Sequence, residues 1–270
     1  MLFERITLNV NSRDFYLDAY VADMKSCARD AVLIFPGGAY RDVCDDREGE
    51  PIALAYLARG INAFVLHYSV GEEYRYPSHL TEASLALTYI KNHADEFSIN
   101  KDRIFAVGFS AGGHLAGSLA ILHKDTKVLS ALGIEKGDNK PCGAILSYPV
   151  VSAICDTHKE SFYYLSGKEF DTISDAEKRA LSLECNVDED SAPAFIWHTA
   201  EDDLVPVVGS LRLAEAYYNA KRPFTLRVYP YGVHGIALGN EITAGENGLW
   251  LEPIAEEWVD ASIKWMKTVK

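Results

Sequence analysis

Residues 104–116 read Ile-Phe-Ala-Val-Gly-Phe-Ser-Ala-Gly-Gly-His-Leu-Ala: an apolar run, a serine boxed by glycines, then small residues suited to a helix. A strand that turns into a helix around one residue crowds that residue's neighbours. Gly108 and Gly112 would therefore lack a Cβ for steric reasons, leaving the Ser110 hydroxyl clear. Chance supplies a bare Gly-x-Ser-x-Gly in roughly one chain of this length in ten, given glycine at about 7% of residues. The pattern alone thus also fits an ordinary turn serine. Its weight depends on whether the rest of the chain supplies chemical partners.

A chain of 270 residues, 48% hydrophobic and 24% charged, is long enough to bury a large core and has the composition of ordinary soluble protein. Its 26 basic and 39 acidic residues leave a net charge of −13, which repels phosphate backbones and anionic bilayers. Neither nucleic acid nor a membrane is an expected partner. Met1-Leu2-Phe3-Glu4-Arg5 does not lead a basic segment into an apolar one, and no run approaches the roughly 18 apolar residues of a membrane span. No signal peptide is expected. Cys27, Cys44, Cys142, Cys155 and Cys185 are odd in number and form no Cys-x-x-Cys pair, which predicts reduced thiols in a cytoplasmic protein.

Along the chain, residues 3–10 and 15–22 alternate around Asn11-Ser12-Arg13-Asp14, the pattern of a hairpin. Short apolar strands are expected at 31–35, 61–68, 104–109, 144–148, 194–198 and 225–229. Helical spacing is expected at 51–57, 80–93, from Ser110 to about His123, at 207–218 and at 254–269, the last with Trp258 and Trp265 on one face. Pro51 sits in a first helical turn, and Gly60 closes that helix. Alternating strands and helices predict a doubly wound, mostly parallel sheet with the opening hairpin as its antiparallel edge, all in a single domain spanning 1–270. Residues 152–190 break the rhythm, being polar and carrying Phe162-Tyr163-Tyr164, and read as a helical cap inserted over the carboxyl edge of the sheet.

A serine hydroxyl is too weak an acid to attack unaided at neutral pH, so an imidazole must take its proton and a carboxylate must fix the imidazole's tautomer. In a strand-turn-helix sheet of this kind the order is Ser, acid, His. The strand at 194–198 runs into Thr199-Ala200-Glu201-Asp202-Asp203-Leu204-Val205-Pro206, which offers three adjacent acids. The last strand runs into Pro230-Tyr231-Gly232-Val233-His234-Gly235, placing His234 in a glycine-bracketed loop. His67 and His198 also end strands but lack that loop freedom. His79, His93, His123 and His158 read as surface or helix-end residues, and His114 as a packing or hydrogen-bonding residue. No pair of histidines has metal-ligand spacing, so no metal or cofactor is expected. For the oxyanion of acyl transfer, the N–H of Ala111 is one candidate donor, and Pro36-Gly37-Gly38-Ala39-Tyr40 after an early strand is placed to give the other.

Phe35-Pro-Gly-Gly-Ala-Tyr40, Arg47-Glu48-Gly49-Glu50-Pro51, Gly108-Phe-Ser-Ala-Gly-Gly-His114, Trp197-His-Thr-Ala-Glu-Asp-Asp-Leu-Val-Pro206 and Gly232-Val-His-Gly235 together resemble the α/β-hydrolase carboxylesterases labelled acetyl esterase, xylan esterase or endo-1,4-β-xylanase B-like. The resemblance covers nearly the whole chain and is weakest over the first 25 residues and the cap. It implies the α/β-hydrolase fold, with Ser110 as nucleophile, His234 as base and Asp202 as acid, since relatives carry the acid four residues after the histidine of this segment. Asp203 is the close competitor. Pro36 and Ala39 stand where the lipase-type loop has His and a third Gly, so Gly38 and Ala39 both remain candidates for the second donor.

The expected activity is hydrolysis of short acyl esters, acetyl foremost, on a small alcohol such as a sugar or xylo-oligosaccharide. Tyr40, Tyr163 and Tyr164 are candidates for aromatic substrate walls, with Phe162 and Tyr231 beside them. A glycosidase would need a carboxylate pair across a sugar bond, which no segment supplies. A serine peptidase of the same fold and a non-catalytic binding protein are the rival readings. The assembly is open, a homodimer being one form such a chain can take.

Overall fold

In the computed structural model, which describes residues 1–23 and 27–270, eight strands form one sheet: β1 (Leu2–Val10), β2 (Arg13–Val21), β3 (Arg29–Phe35), β4 (Asn62–His67), β5 (Ile99–Phe109), β6 (Gly143–Ser147), β7 (Ala194–Thr199) and β8 (Phe224–Tyr229). Their spatial order is β1-β2-β4-β3-β5-β6-β7-β8. The first two strands form the expected hairpin, closed by Asn11 and Ser12 at φ 52° and 62°, the paired left-handed geometry of a two-residue turn. β2 adds to β4 antiparallel, and every pairing from β4 through β8 is parallel. The chain thus has the doubly wound, mostly parallel architecture of the α/β-hydrolase fold.

Among the described residues, eight α-helices lie between the strands, α1 (Asp45–Glu48), α2 (Glu50–Leu57), α3 (Ser78–Asn92), α4 (Ser110–Ile121), α5 (Thr126–Leu132), α6 (Lys159–Ser166), α7 (Asp175–Leu181) and α8 (Val208–Asn219), and a ninth, α9 (Trp258–Met266), follows β8. Period-two alternation along the central strands divides the interior in two. Leu33, Ala106, Leu146 and Ile196 face a core completed by Leu80 and Leu87 of α3, Leu115 of α4 and Leu213 of α8. The intervening Ile34, Val107, Ile145 and Trp197 face the other core, against Ile52 and Tyr56 of α2 and Trp258 of α9. Burying both sheet faces under helices is why these strands read as unbroken apolar runs.

Boundaries depart from expectation where solvent cuts across an element. β5 begins five residues before Ile104, because Asn100, Lys101 and Asp102 are exposed at its outer end and carry no apolar signal. The closing helix is shorter than 254–269, being preceded by a 3₁₀ turn over Ala255–Glu257. Both of its tryptophans face inward. Trp258 stacks on Trp197 with centroids 5.2 Å apart, and Trp265 meets Phe105 and Phe195 at 5.9 Å. No helix among the described residues is long and apolar enough to cross a membrane.

Candidate active site

Ser110 is the first residue of α4 and takes φ 52°, a left-handed conformation that costs a non-glycine residue of order 1–3 kcal/mol. The two glycines around it are required by contact. A Cβ on Gly108 would lie 2.1 Å from the Gly112 carbonyl oxygen, and one on Gly112 would lie 2.0 Å from that of Phe35. Strand, turn and helix are therefore packed backbone to backbone, and the serine stands at the carboxyl end of the central strand.

Two loops from neighbouring strands meet it there. His234, in the loop after β8, accepts the Ser110 hydroxyl on Nε2 at 2.8 Å and donates from Nδ1 to Asp202 Oδ2 at 2.7 Å. Asp202, in the loop after β7, is buried and uses both oxygens. Oδ1 accepts the N–H groups of Leu204 and Val205 at 3.1 and 2.8 Å, while Oδ2 is shared between His234 and His198 Nε2, the latter at 3.2 Å. Burial alone would push this carboxyl up, but the hydrogen bonds from His198, His234 and Val205 hold it well below the usual carboxylate range. Of the three adjacent acids only Asp202 turns inward; Glu201 and Asp203 are exposed.

The loop after β3 approaches from the other side. Gly37 N–H is turned away onto Glu48 Oε2 at 2.7 Å. Gly38 takes φ 125°, where a Cβ would meet the Asp42 carbonyl at 2.1 Å, and Ala39 and Tyr40 follow at φ 59° and 60°. The N–H groups of Gly38 and Ala39 make no hydrogen bond to another described residue. Ala111 lies in the first turn of α4, where N–H groups have no acceptor within the helix. Among the described residues, five of the ten non-glycine residues at positive φ, Ala39, Tyr40, Ser110, Tyr148 and Ala237, lie in the loops and the helix start around this point. Such concentration of strain marks a place where geometry is over-determined by its surroundings.

Other sequence candidates fall elsewhere. Tyr40, expected as a substrate wall, is 1% exposed, donates its hydroxyl to His114 Nδ1 at 2.8 Å and packs on His79 and Tyr68. The left-handed turn at 39 and 40 directs its ring into the core. Tyr163 and Tyr164 are half-buried on α6, and their partners are Glu72 and Arg75 of the loop before α3 rather than Ser110, Asp202 or His234. His67 serves Asp18 Oδ2 at 2.9 Å, remote from the serine. His114 has the hydrogen-bonding role expected of it, donating Nε2–H to the Leu181 carbonyl. His79 and His123 are buried rather than superficial, and burial lowers them to about 3 and about 4.

Sequence reasoning missed the residues that hold the loops. His198, weighed as a base, instead donates to Asp202 and to the Val205 carbonyl, while its Nδ1 accepts Ser210 at 2.8 Å. Its spacing of four from Asp202 was visible. Tyr148, the residue after β6, lies edge-on to His234 at 5.1 Å, and Glu48 in α1 reaches it; neither had a periodic signal to mark it. Among the described residues, no group of three His, Cys, Asp or Glu side chains is arranged to hold a metal ion.

Comparison with known proteins gives a consistent lineage. The family profile described as BD-FAE matches residues 17–217. An endo-1,4-beta-xylanase B from Butyrivibrio fibrisolvens is 38% identical over 218 residues, which are 79% of this chain and 33% of that protein. The match spans 33% of that xylanase, and 47% and 53% of two further curated relatives, an acetylxylan esterase and a probable carboxylic ester hydrolase. Among solved structures, the carboxylesterase Cest-2923 from Lactobacillus plantarum superposes with TM-score 0.85 at 25% identity, covering 99% of this chain and 98% of that one. An acetyl ester-xyloside bifunctional hydrolase from Caldicellulosiruptor lactoaceticus gives 0.77 at 31% identity, covering 93% and 89%.

Proposed function

This chain belongs to the BD-FAE family, its own structural neighbours include a carboxylesterase and an acetyl ester-xyloside bifunctional hydrolase, and on that premise we propose that it is a serine carboxylesterase acting on short acyl esters through Ser110, His234 and Asp202. The observation that carries this reading is the continuous relay from Ser110 Oγ through His234 to Asp202, at 2.8 and 2.7 Å. Ser110 Oγ attacks the ester carbonyl carbon as His234 Nε2 takes the hydroxyl proton. The carbonyl electrons move to oxygen, where N–H donors at Ala111 and at Gly38 or Ala39 receive the charge. Collapse breaks the bond to the alcohol, which leaves with the proton from His234. Water then repeats the sequence on the acyl-enzyme and releases the acid.

Asp202 stays ionised throughout, since its hydrogen bonds favour the charged form, and so keeps the His234 Nδ1 proton in place. A sugar carrying acetyl esters on its hydroxyls is the substrate class we favour, because the proteins it resembles include ones named acetylxylan esterase and acetyl ester-xyloside bifunctional hydrolase. The relay from Ser110 through His234 to Asp202 is suited to acyl transfer, so the reading is confined to ester bonds.

Ser110→Ala should abolish turnover of p-nitrophenyl acetate and block labelling by a fluorophosphonate probe. Turnover near the wild-type rate in that variant would overturn the assignment. An acyl-length series on p-nitrophenyl and acetylated xylo-oligosaccharide esters should then favour acetyl; a preference for long chains would overturn the substrate class alone.

A further inference from the structure

The segment Arg47-Glu48-Gly49-Glu50-Pro51 stands out in the sequence, yet the relay through Ser110 uses none of it. Glu48 is 2% exposed, and a carboxylate is costly to keep from water unless its oxygens are satisfied. Both are. Oε2 accepts the Gly37 N–H at 2.7 Å and Oε1 accepts the Tyr148 hydroxyl at 2.7 Å. The Tyr148 oxygen in turn accepts the Ala237 N–H at 3.0 Å, three residues beyond His234. Arg47, next to Glu48, donates to the Gly235 carbonyl, one residue beyond His234, and lies 3.9 Å over the Trp250 ring.

Gly37 has no slack. A Cβ there would lie 2.7 Å from Glu48 Oε2 and 3.0 Å from the Cβ of Ser110, so the backbone that precedes Gly38 and Ala39 is wedged between the carboxylate and the serine. Movement of the carboxylate is passed directly to the serine and the candidate oxyanion donors. An apolar residue of the same volume would fill the space without this link. Burial pushes the Glu48 carboxyl upward, opposed by the Tyr148 hydroxyl, Arg47 and the Gly37 N–H.

We propose that Glu48 is a positioning residue for the reaction: one carboxylate oxygen holds the loop carrying Gly38 and Ala39, and the other, through Tyr148, holds the loop carrying His234. The proposal rests on the esterase reading above. Glu48 touches no reacting atom. It fixes the distance between the group that moves the proton and the groups that receive the developing charge, two parts set on different loops. An error of about 1 Å in such a distance costs about 10²-fold in rate.

The test compares wild type with Glu48→Gln, Tyr148→Phe and the double variant, reading kcat and KM on p-nitrophenyl acetate per Ser110 site titrated with a fluorophosphonate, and Tm alongside. Gln preserves shape but turns an N–H₂ toward one of the two donors; Phe cuts the link to Ala237 while leaving the charge. Each single variant should lose about 10- to 100-fold in kcat per titrated site with KM within about twofold. The double variant should be no worse than the less active single one, since Tyr148 acts through Glu48 and the two changes lie on one connected chain of contacts. Variants that lose Tm and titre but keep the wild-type kcat per titrated site would overturn the proposal, as would losses that multiply in the double. Should Glu48→Gln not fold, Tyr148→Phe decides alone by the same split. A wild type that neither labels nor turns over would remove the esterase reading and this proposal with it, whereas an active wild type with unaffected variants removes only the proposal.

Discussion

Asp202 and Asp203 are adjacent and chemically identical, and their surroundings give them opposite fates. Asp202 accepts four N–H groups in a buried loop; Asp203 points to solvent. Asp202→Asn should lower kcat by about 10⁴, because an amide facing Nδ1 favours the wrong imidazole tautomer. Asp203→Asn should change kcat less than about twofold, and the reverse ranking would reassign the acid. The sequence alone left Glu201, Asp202 and Asp203 open, since a loop has no periodicity to say which side chain turns in; resemblance singled out Asp202. His198 was set aside as the base, but its supporting role stayed hidden. A histidine ending a strand near a nucleophile has the address of a base, and only the fold of the following turn shows that its Nε2 is occupied by Asp202 and Val205. Tyr40 illustrates the opposite failure, an aromatic in the right loop whose left-handed backbone sends it into the core.

At the level of elements, the junction of β5 and α4 is held by the absence of atoms. Gly112→Ala places a methyl 2.0 Å from the Phe35 carbonyl oxygen and 2.4 Å from that of Pro36, both backbone atoms that cannot rotate aside. Overpacking of this kind costs about 1–3 kcal/mol or more, and urea unfolding should show a loss of at least that size; an unchanged midpoint would contradict the close approach. The hairpin depends on charge instead. Asp18 of β2 meets Arg5 of β1 at 2.7 Å and His67 of β4 at 2.9 Å, tying three strands. Burial alone would raise its carboxyl, but the hydrogen bonds from Arg5 and His67 leave it below the ordinary range. A depressed carboxyl stabilises the fold above its unfolded value of about 3.9, and that contribution fades as pH falls. Asp18→Asn should therefore be less stable than wild type at pH 7, with the gap in urea midpoint closing toward pH 3; a gap independent of pH would mean that packing, not charge, is lost. The central strands were legible as short apolar runs, because both faces of the sheet are buried, and the opening hairpin was legible from its alternation. Helix α5 was not anticipated, although Asp125 caps it through the Lys127 and Val128 N–H groups and Gly133 ends it at φ 63°, both readable in the sequence.

For the whole molecule, the sheet order places the ends of β3, β5, β6, β7 and β8 side by side, and those ends carry the loops that build the site. Architecture was legible from the alternation of strands and helices, whereas the site was legible only where chemistry needs a rare residue, as at Ser110 and His234. Glu48 was noticed only within a resembling segment, and its contact with Tyr148 escaped because a buried polar contact between loops leaves no trace in the spacing of either loop. One feature of the order also bears on how the chain folds. The Ser110 hydroxyl meets a histidine 124 residues away, and Arg47 meets a carbonyl 188 residues away, across a sheet whose strand β8 sits at the far edge. Contacts so distant form only after many loops have closed, the slow kind of search in parallel sheets. While the nascent chain is still being made, the turn at Ser110 can be in place before His234 reaches it. On the esterase reading proposed above, the hydroxyl gains its base only once β8 has docked and brought its loop across, so its reactivity marks the completion of folding rather than its beginning.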